Sequence, residues 1–232
     1  MTTDQDDARG RDSVRSALRA FSIVSLFSSQ RPQLTMKEIS EGAELPSSTT
    51  ARLIQTLAGE GYLRKCDNGA YAPGPRLIEM AASISGAASL TEIVRPHLET
   101  LRAETGETVC FAIKASETEA VYLDQCDSPQ SVRHVRWVGE RVPLANTAIG
   151  AALTGGCAPG EAKIALKTYE KDVSAVAAPI RNGSGKIVGA INVTGPSYRL
   201  TEAKLQQMGE ALLREISKIE GSSDQRSNSW AI

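Results

Sequence analysis

Residues 35–61 read TMKEISEGAELPSSTTARLIQTLAGEG, and the apolar spacing within them decides the fold. The segment predicts a short helix over 36–43, a three-residue turn at Glu44-Leu45-Pro46 and a longer second helix. Pro46 suits a first helical position, because its φ is pre-set and it has no N–H to leave unbonded. Thr50, Leu53, Ile54 and Leu57 then share one face at helical spacing. The opposite face is centred on Ser48, Arg52, Gln55 and Gly59, with Thr49 and Thr56 at its margins. It carries hydroxyls, an amide and a guanidinium, and no carboxylate. Such groups donate to phosphates and read base edges in a major groove. Two readings fit: an ordinary helical hairpin with a solvated polar face, or a helix-turn-helix whose second helix enters the groove.

The next residues favour the second reading. Tyr62-Leu63-Arg64-Lys65 is a short apolar-then-basic strand, Asp67-Asn68-Gly69 is a hairpin turn, and Ala70-Tyr71-Ala72 returns. Pro73-Gly74-Pro75 stops the unit. A helix-turn-helix followed by a two-stranded hairpin is a winged helix, with Arg64 and Lys65 on the wing for backbone phosphates. Upstream, Asp12 or Ser13 can cap a helix that buries Val14, Ala17, Leu18, Phe21 and Val24. Thr35 with Glu38 makes a capping box, and a threonine there is also set to touch a phosphate. The candidate DNA-binding residues are therefore Thr35, Ser47, Ser48, Thr49, Arg52, Gln55, Arg64 and Lys65.

The whole chain agrees with this. Its 232 residues suit one large or two modest domains, and 41% hydrophobic residues suffice for real cores. A net charge of −1 excludes a chain-wide basic coat. Residues 1–76 carry +1 and residues 77–232 carry −2; without the acidic residues 1–7 the first part carries +4. That mild basic bias is compatible with DNA. Cys66, Cys110, Cys126 and Cys157 form no C-x-x-C, and His97 and His134 are the two histidines. No metal and no cofactor is expected, and free thiols suit a reducing cytoplasm. No apolar run reaches membrane length, and the polar, acidic start is neither signal peptide nor span.

The spaced motifs resemble the IclR family of bacterial transcription regulators over roughly residues 12–219. They include Ser13-Val14 with Ala17-Leu18, Leu34-Thr35 with Glu38-Ile39, and Leu45-Pro46-Ser47-Ser48-Thr49 with Arg52-Leu53 and Leu57. Gly61-Tyr62-Leu63 and Gly74-Pro75-Arg76-Leu77 follow. In the second half the matches are Arg95-Pro96-His97-Leu98, Glu104-Thr105-Gly106-Glu107-Thr108, Val121-Tyr122-Leu123, Val142-Pro143-Leu144, Ala177-Ala178-Pro179 and Gly195 to Thr201. Ser16 stands where the family usually has a basic residue, while Arg15 and Arg19 lie on neighbouring faces. Between residues 154 and 172 the chain is a few tens of residues shorter than many relatives, and Glu170 and Asp172 are the candidates for the missing polar wall.

The expected fold class is α+β: an N-terminal winged helix-turn-helix, a linker helix and a C-terminal GAF-like effector-binding domain with a mostly antiparallel sheet. The expected boundaries are a disordered start at 1–11, the winged helix at 12–75, the linker at 76–88, the effector domain at 89–219 and a disordered tail at 220–232. The linker stripe Leu77, Met80, Ala81 and Ile84 is either core or a dimer contact, and the resemblance implies a dimerising linker. Ser89 to Glu92 reads as a capping box, and Pro96 should kink or interrupt the helix it starts. Strands are expected over 108–114, 120–124, 132–138, 173–180 and 187–194, and a final helix from Thr201.

The expected effector contacts are Leu144, Thr147, Ala148, Ile149, Ala175, Asn192 and Thr194. A helix starting near Thr147 offers first-turn N–H groups to an anion. Asn192 and Thr194 share one strand face and supply an amide and a hydroxyl; Leu144 and Ile149 make the pocket partly apolar. The resemblance implies that Ala148, Ile149, Ala175, Asn192 and Thr194 touch the effector, here expected to be a small organic acid. The leading function is a cytoplasmic, ligand-responsive repressor binding double-stranded operator DNA as a homodimer or dimer of dimers. The alternatives are a cysteine-based redox-sensing regulator and a GAF-type small-molecule reductase.

Overall fold

The computed structural model describes residues 14–28, 31–83, 85–133, 138–168 and 171–223. The chain divides into two compact units, Met1–Ser83 and Ile84–Ile232. The expectations for residues 1–13, for Glu170, for 134–137 of the strand at 132–138 and for 224–232 of the tail lie outside the described residues.

The first unit is built from α1 (Arg15–Val24), α2 (Met36–Gly42), α3 (Ser47–Gly59), β1 (Leu63–Lys65), β2 (Tyr71–Pro73) and α4 (Pro75–Ser83). Ile23, Leu34, Ile39, Ile54, Leu57 and Leu63 form its core. Thr35 starts α2 through the capping box: its hydroxyl accepts from the Glu38 N–H at 3.3 Å, and Glu38 accepts from the Thr35 N–H at 2.7 Å. Glu44 turns the chain with φ +53°, and Ser40 pins the turn by donating to the Leu45 carbonyl at 2.7 Å. Pro46 is the N-cap of α3 rather than its first residue, because its φ of −56° is helical but its ψ of 140° is extended.

The wing turn is Asp67-Asn68-Gly69, as read from the sequence: the Cys66 carbonyl accepts from Gly69 at 3.0 Å and the Cys66 N–H reaches the Ala70 carbonyl at 2.8 Å. That is a three-residue loop with Gly69 left-handed at φ +80°, a glycine bulge. Leu34 pairs with Tyr71 as an extra bridge, so the residue before α2 is tied to the wing. The α1 expectation needs correcting. Ile23 is its buried residue, with Ala20 and Val24 partly buried, while Val14, Leu18 and Phe21 are exposed and Phe21 is 68% accessible. The helix carries two apolar stripes, and the core takes Ala20, Ile23 and Val24.

The second unit comprises α5 (Ser85–Thr105), β3 (Thr108–Lys114), β4 (Glu119–Cys126), β5 (Arg141–Pro143), α6 (Ala148–Leu153), β6 (Lys163–Leu166), β7 (Val173–Arg181), β8 (Ile187–Pro196) and α7 (Glu202–Ser223). Helix α5 already includes Ser89, so that residue does not cap it, and it runs through Pro96. Burial of Leu90, Val94, Leu98 and Leu101 holds the helix where one backbone bond is lost. Helix α7 extends to Ser223, so Glu220 to Ser223 are helical rather than tail. Val132 and Arg133 are not in a strand; Val138 makes an isolated parallel bridge to Tyr122.

The sheet order is β5-β4-β3-β8-β7-β6, with every neighbouring pair antiparallel. Alternation divides its strands by size. Val109, Phe111, Val176, Ile180, Ile191 and Val193 join the core formed with α5 and α7. Cys110, Ala112, Ala177 and Ala190 face the other way, into the core formed with α6. Small side chains on that face let α6 sit close and leave space beside it.

Candidate functional site

The first candidate surface is the outer face of α3. Ser47, Ser48, Arg52, Gln55 and Thr56 are exposed and Thr49 is half-buried, while Thr50, Ile54 and Leu57 are buried. The polar face is therefore the one read from periodicity. A groove of about 630 Å³ runs between α1 and α3, lined by Ser16, Arg19, Thr49, Arg52, Gln55 and Thr56 among others. Arg19 is the addition: helical spacing could place it only on a face of α1, not beside Arg52. Arg64 and Lys65 are exposed on β1. Among the described residues, Arg19, Arg52, Arg64 and Lys65 make no ion pair, whereas Arg76, Arg95 and Arg199 are paired to carboxylates. Thr35 differs from these. Its hydroxyl donates to Glu38 at 2.6 Å, so its proton is committed to the cap. The same bond holds the Glu38 carboxyl below its usual range.

The second candidate is a cavity of about 50 Å³ on the α6 side of the sheet. Thr147, Ala148, Ile149, Ala175, Asn192 and Thr194 line it. Leu144 does not; it is buried behind α6 with its carbonyl 3.3 Å from the Thr147 hydroxyl. The sequence reading missed Tyr122, Val142, Ala165, Thr168 and Val173 on the wall. Ala165 lies on β6, a four-residue edge strand too short to announce itself by alternation. Asp172 is exposed and absent from the lining, and its carbonyl accepts from the Ser197 N–H at 2.7 Å. Among the described residues no charged side chain lines the cavity.

The polar groups at the cavity are in different states. The Thr147 hydroxyl caps α6 by accepting from Gly150 at 3.0 Å and donates to the Pro143 carbonyl at 2.9 Å. Gly150 is needed there, since a Cβ would lie 1.9 Å from the Leu144 carbonyl oxygen. The Thr194 hydroxyl has a long bond of 3.5 Å to the Ser174 carbonyl. Among the described residues the Asn192 Oδ1 finds no hydrogen-bond partner, although the residue is 3% exposed. Buried polar atoms are rarely left unpaired.

The cysteines are free. Burial pushes the Cys110 thiol well up, and burial likewise raises Cys126 and Cys157. Cys110 and Cys126 lie on opposite faces of the sheet, in different cores. Reactive thiols need the thiolate, so this arrangement lends nothing to the redox and reductase readings. Among the described residues no group of three or more His, Cys, Asp or Glu is placed to hold a metal. No helix among them is long and apolar enough to cross a membrane.

The IclR helix-turn-helix domain model matches residues 16–66. The bacterial transcriptional regulator IclR C-terminal model matches 82–170 and 164–220. The chain belongs to the IclR family of bacterial transcriptional regulators.

Individual IclR relatives are distant but span most of the chain. The HTH-type transcriptional regulator XynR of Escherichia coli is 25% identical over 246 residues, covering 88% of this chain and 97% of XynR. The transcriptional repressor IclR of E. coli is 29% identical over 141 residues, 60% of this chain and 52% of that protein. In fold, the chain is similar to an IclR homolog complexed with 4-hydroxybenzoate from Microbacterium hydrocarbonoxydans. The TM-score is 0.74 at 21% identity, covering 90% of this chain and 99% of that one. The chain is thus an IclR-type regulator with a DNA-binding helix-turn-helix and an α+β effector-type domain, and its relatives include repressors.

Proposed function

We propose that this regulator is a repressor whose α3 reads an operator while the wing holds its backbone, and that a small organic acid in the α6 cavity controls it. The observation that carries the DNA half is the α3 face: Ser47, Ser48, Arg52 and Gln55 are exposed together, with unpaired Arg19 beside them and Arg64 and Lys65 on the wing. Arg52 and Gln55 are the base readers, since a guanidinium and a carboxamide make bidentate contacts with guanine and adenine edges. Arg19, Arg64 and Lys65 are phosphate contacts. Ser47, Ser48 and Thr49, at the start of α3, complete the interface; Thr35 serves it by fixing α2.

The effector half rests on the cavity and on six of its lining residues, Thr147, Ala148, Ile149, Ala175, Asn192 and Thr194. The M. hydrocarbonoxydans relative is described with 4-hydroxybenzoate, an organic acid, which supports the same class here. An acid effector would shift the balance between arrangements that bind the operator and arrangements that do not. The shortened segment before Asp172 keeps the ligand small. The 246 aligned positions of XynR, set against the 88% of 232 residues they span, agree with a deletion in this chain. The wall is then made by Ala165, Thr168 and Val173. The active species is a dimer at least, because a single winged helix buries too little surface for tight specific binding.

The test is an operator selected from random DNA with the wild-type protein, followed by titration of four variants. Arg52→Ala and Gln55→Ala are expected to cost roughly 1–3 kcal/mol and relax preference at particular base pairs. Arg64→Ala and Lys65→Ala should weaken all sequences alike and reduce the salt slope by about one each. Normal operator affinity in Arg52→Ala would overturn the orientation given to α3.

A further inference from the structure

The side-chain amide of Asn192 sits on β8 directly across from Cys110 of β3 and Ala177 of β7. Neither neighbour brings a group that can satisfy an amide: Cys110 donates its weak S–H towards Gln125 at 3.7 Å, and alanine has none to give. The asparagine is almost fully buried, its Oδ1 finds no partner among the described residues, and it lines the cavity. A buried, unpaired oxygen of this kind can only accept. A carboxylate can also only accept, so the acid group of a ligand cannot satisfy it.

We infer that the effector is a hydroxylated acid, with its hydroxyl donating to Asn192. This rests on the cavity being the effector site and names the chemistry it selects. The wall has the composition for such a ligand. Val142, Ile149, Ala165 and Val173 surround a carbon skeleton, and among the described residues no lysine, arginine or histidine lines the cavity to make charge the main source of discrimination. Among the described lining residues, selection therefore falls to the orphaned Asn192 Oδ1. An unsubstituted acid leaves Oδ1 buried without a donor and dehydrates it. Its hydroxyl-bearing counterpart supplies the missing O–H. A hydroxyl also tolerates either orientation of the amide, since it donates to an oxygen and accepts from an N–H.

The experiment uses the full-length protein and matched pairs of acids differing by one hydroxyl: acetate with glycolate, propionate with lactate, and benzoate with 4-hydroxybenzoate. Affinities are read by calorimetric titration. In at least one pair the hydroxylated member is expected to bind roughly tenfold or more tightly, the effect of leaving a buried acceptor unpaired. In Asn192→Leu that pair should converge. The comparison within the wild type stands even if the variant does not fold. Equal binding of both members of every pair that binds overturns the inference and leaves the cavity reading intact. A preference that survives unchanged in folded Asn192→Leu also overturns it. Absence of binding by all six acids overturns the acid reading of the cavity and the inference with it.

Discussion

Arg199 closes on Glu107 through two bonds, Nε to Oε1 at 2.6 Å and a terminal nitrogen to Oε2 at 2.9 Å. Glu107 is 2% exposed, just past the end of α5. The guanidinium also donates to the Val132 carbonyl at 2.8 Å and lies over the Tyr198 ring. Its charge is held by the carboxylate, which keeps the arginine pKa above its usual value. Removing one partner of a buried pair leaves the other uncompensated. Glu107→Ala is therefore expected to destabilise the second unit by roughly 3–5 kcal/mol, and Glu107→Ala with Arg199→Met by clearly less than the sum of the singles. Urea unfolding of the double-mutant cycle measures this, and additive losses would mean that the pair acts independently. Both residues fall in motifs that the resemblance marks, but their pairing was not legible: 92 positions separate them, and no local pattern joins a strand start to a turn that far away.

Among the elements, α3 was the most legible in the sequence. Its buried face, its exposed arginine and its bounding proline are all local signals. Helix α1 was legible as a helix but not in its facing, because Val14, Leu18 and Phe21 make as regular a stripe as Ala20, Ile23 and Val24. The edge strands β5 and β6 escaped, having three and four residues and little alternation. Of the cavity-lining residues, Thr147, Asn192 and Thr194 were legible locally, as a helix cap and a polar pair in an apolar strand, whereas Ala148, Ile149 and Ala175 came from the family resemblance. Tyr122 and Ala165 were not legible, since only the sheet order brings them there. Helix α5 offers an element-scale test. Pro96 removes the N–H that would bond the Glu92 carbonyl, at a cost met by packing. Pro96→Ala is expected to stabilise the second unit by about 1–3 kcal/mol, read from its urea midpoint. An unchanged or lower midpoint would show that the helix is shaped around the proline.

On the scale of the molecule, exposed apolar residues remain on the first unit: Val14, Leu18 and Phe21 on α1, and Ile78 at 74% exposure on α4. Linker residues Met80 and Ala81 are exposed rather than core. A second copy is the expected cover, and sedimentation at micromolar concentration should give a dimer or larger. A monomer that still binds its operator specifically would defeat this. The two units also have separate cores, one around Ile54 and the other on both faces of the six-stranded sheet. Heat absorption on warming should consequently resolve into two peaks rather than one all-or-none step. Acid should lower both peaks, the first through Glu38, whose carboxyl the Thr35 bonds hold below its usual range, and the second through Glu215. Burial pushes the Glu215 carboxyl up, but bonds from Lys218 at 2.6 Å and His97 at 2.6 Å outweigh it and leave the pKa lowered. Its contribution is thus complete above the ordinary value of 4.5 and is lost as pH falls through the depressed folded value. Glu215→Gln should flatten that acid dependence. Operator DNA should raise the first peak and a hydroxylated acid the second, each by mass action on the unit it binds. When both ligands are present, any peak that moves less than it does with one alone gives the coupling free energy between the sites directly. One calorimeter trace thereby becomes an assay for induction in which neither a promoter nor a cell is needed.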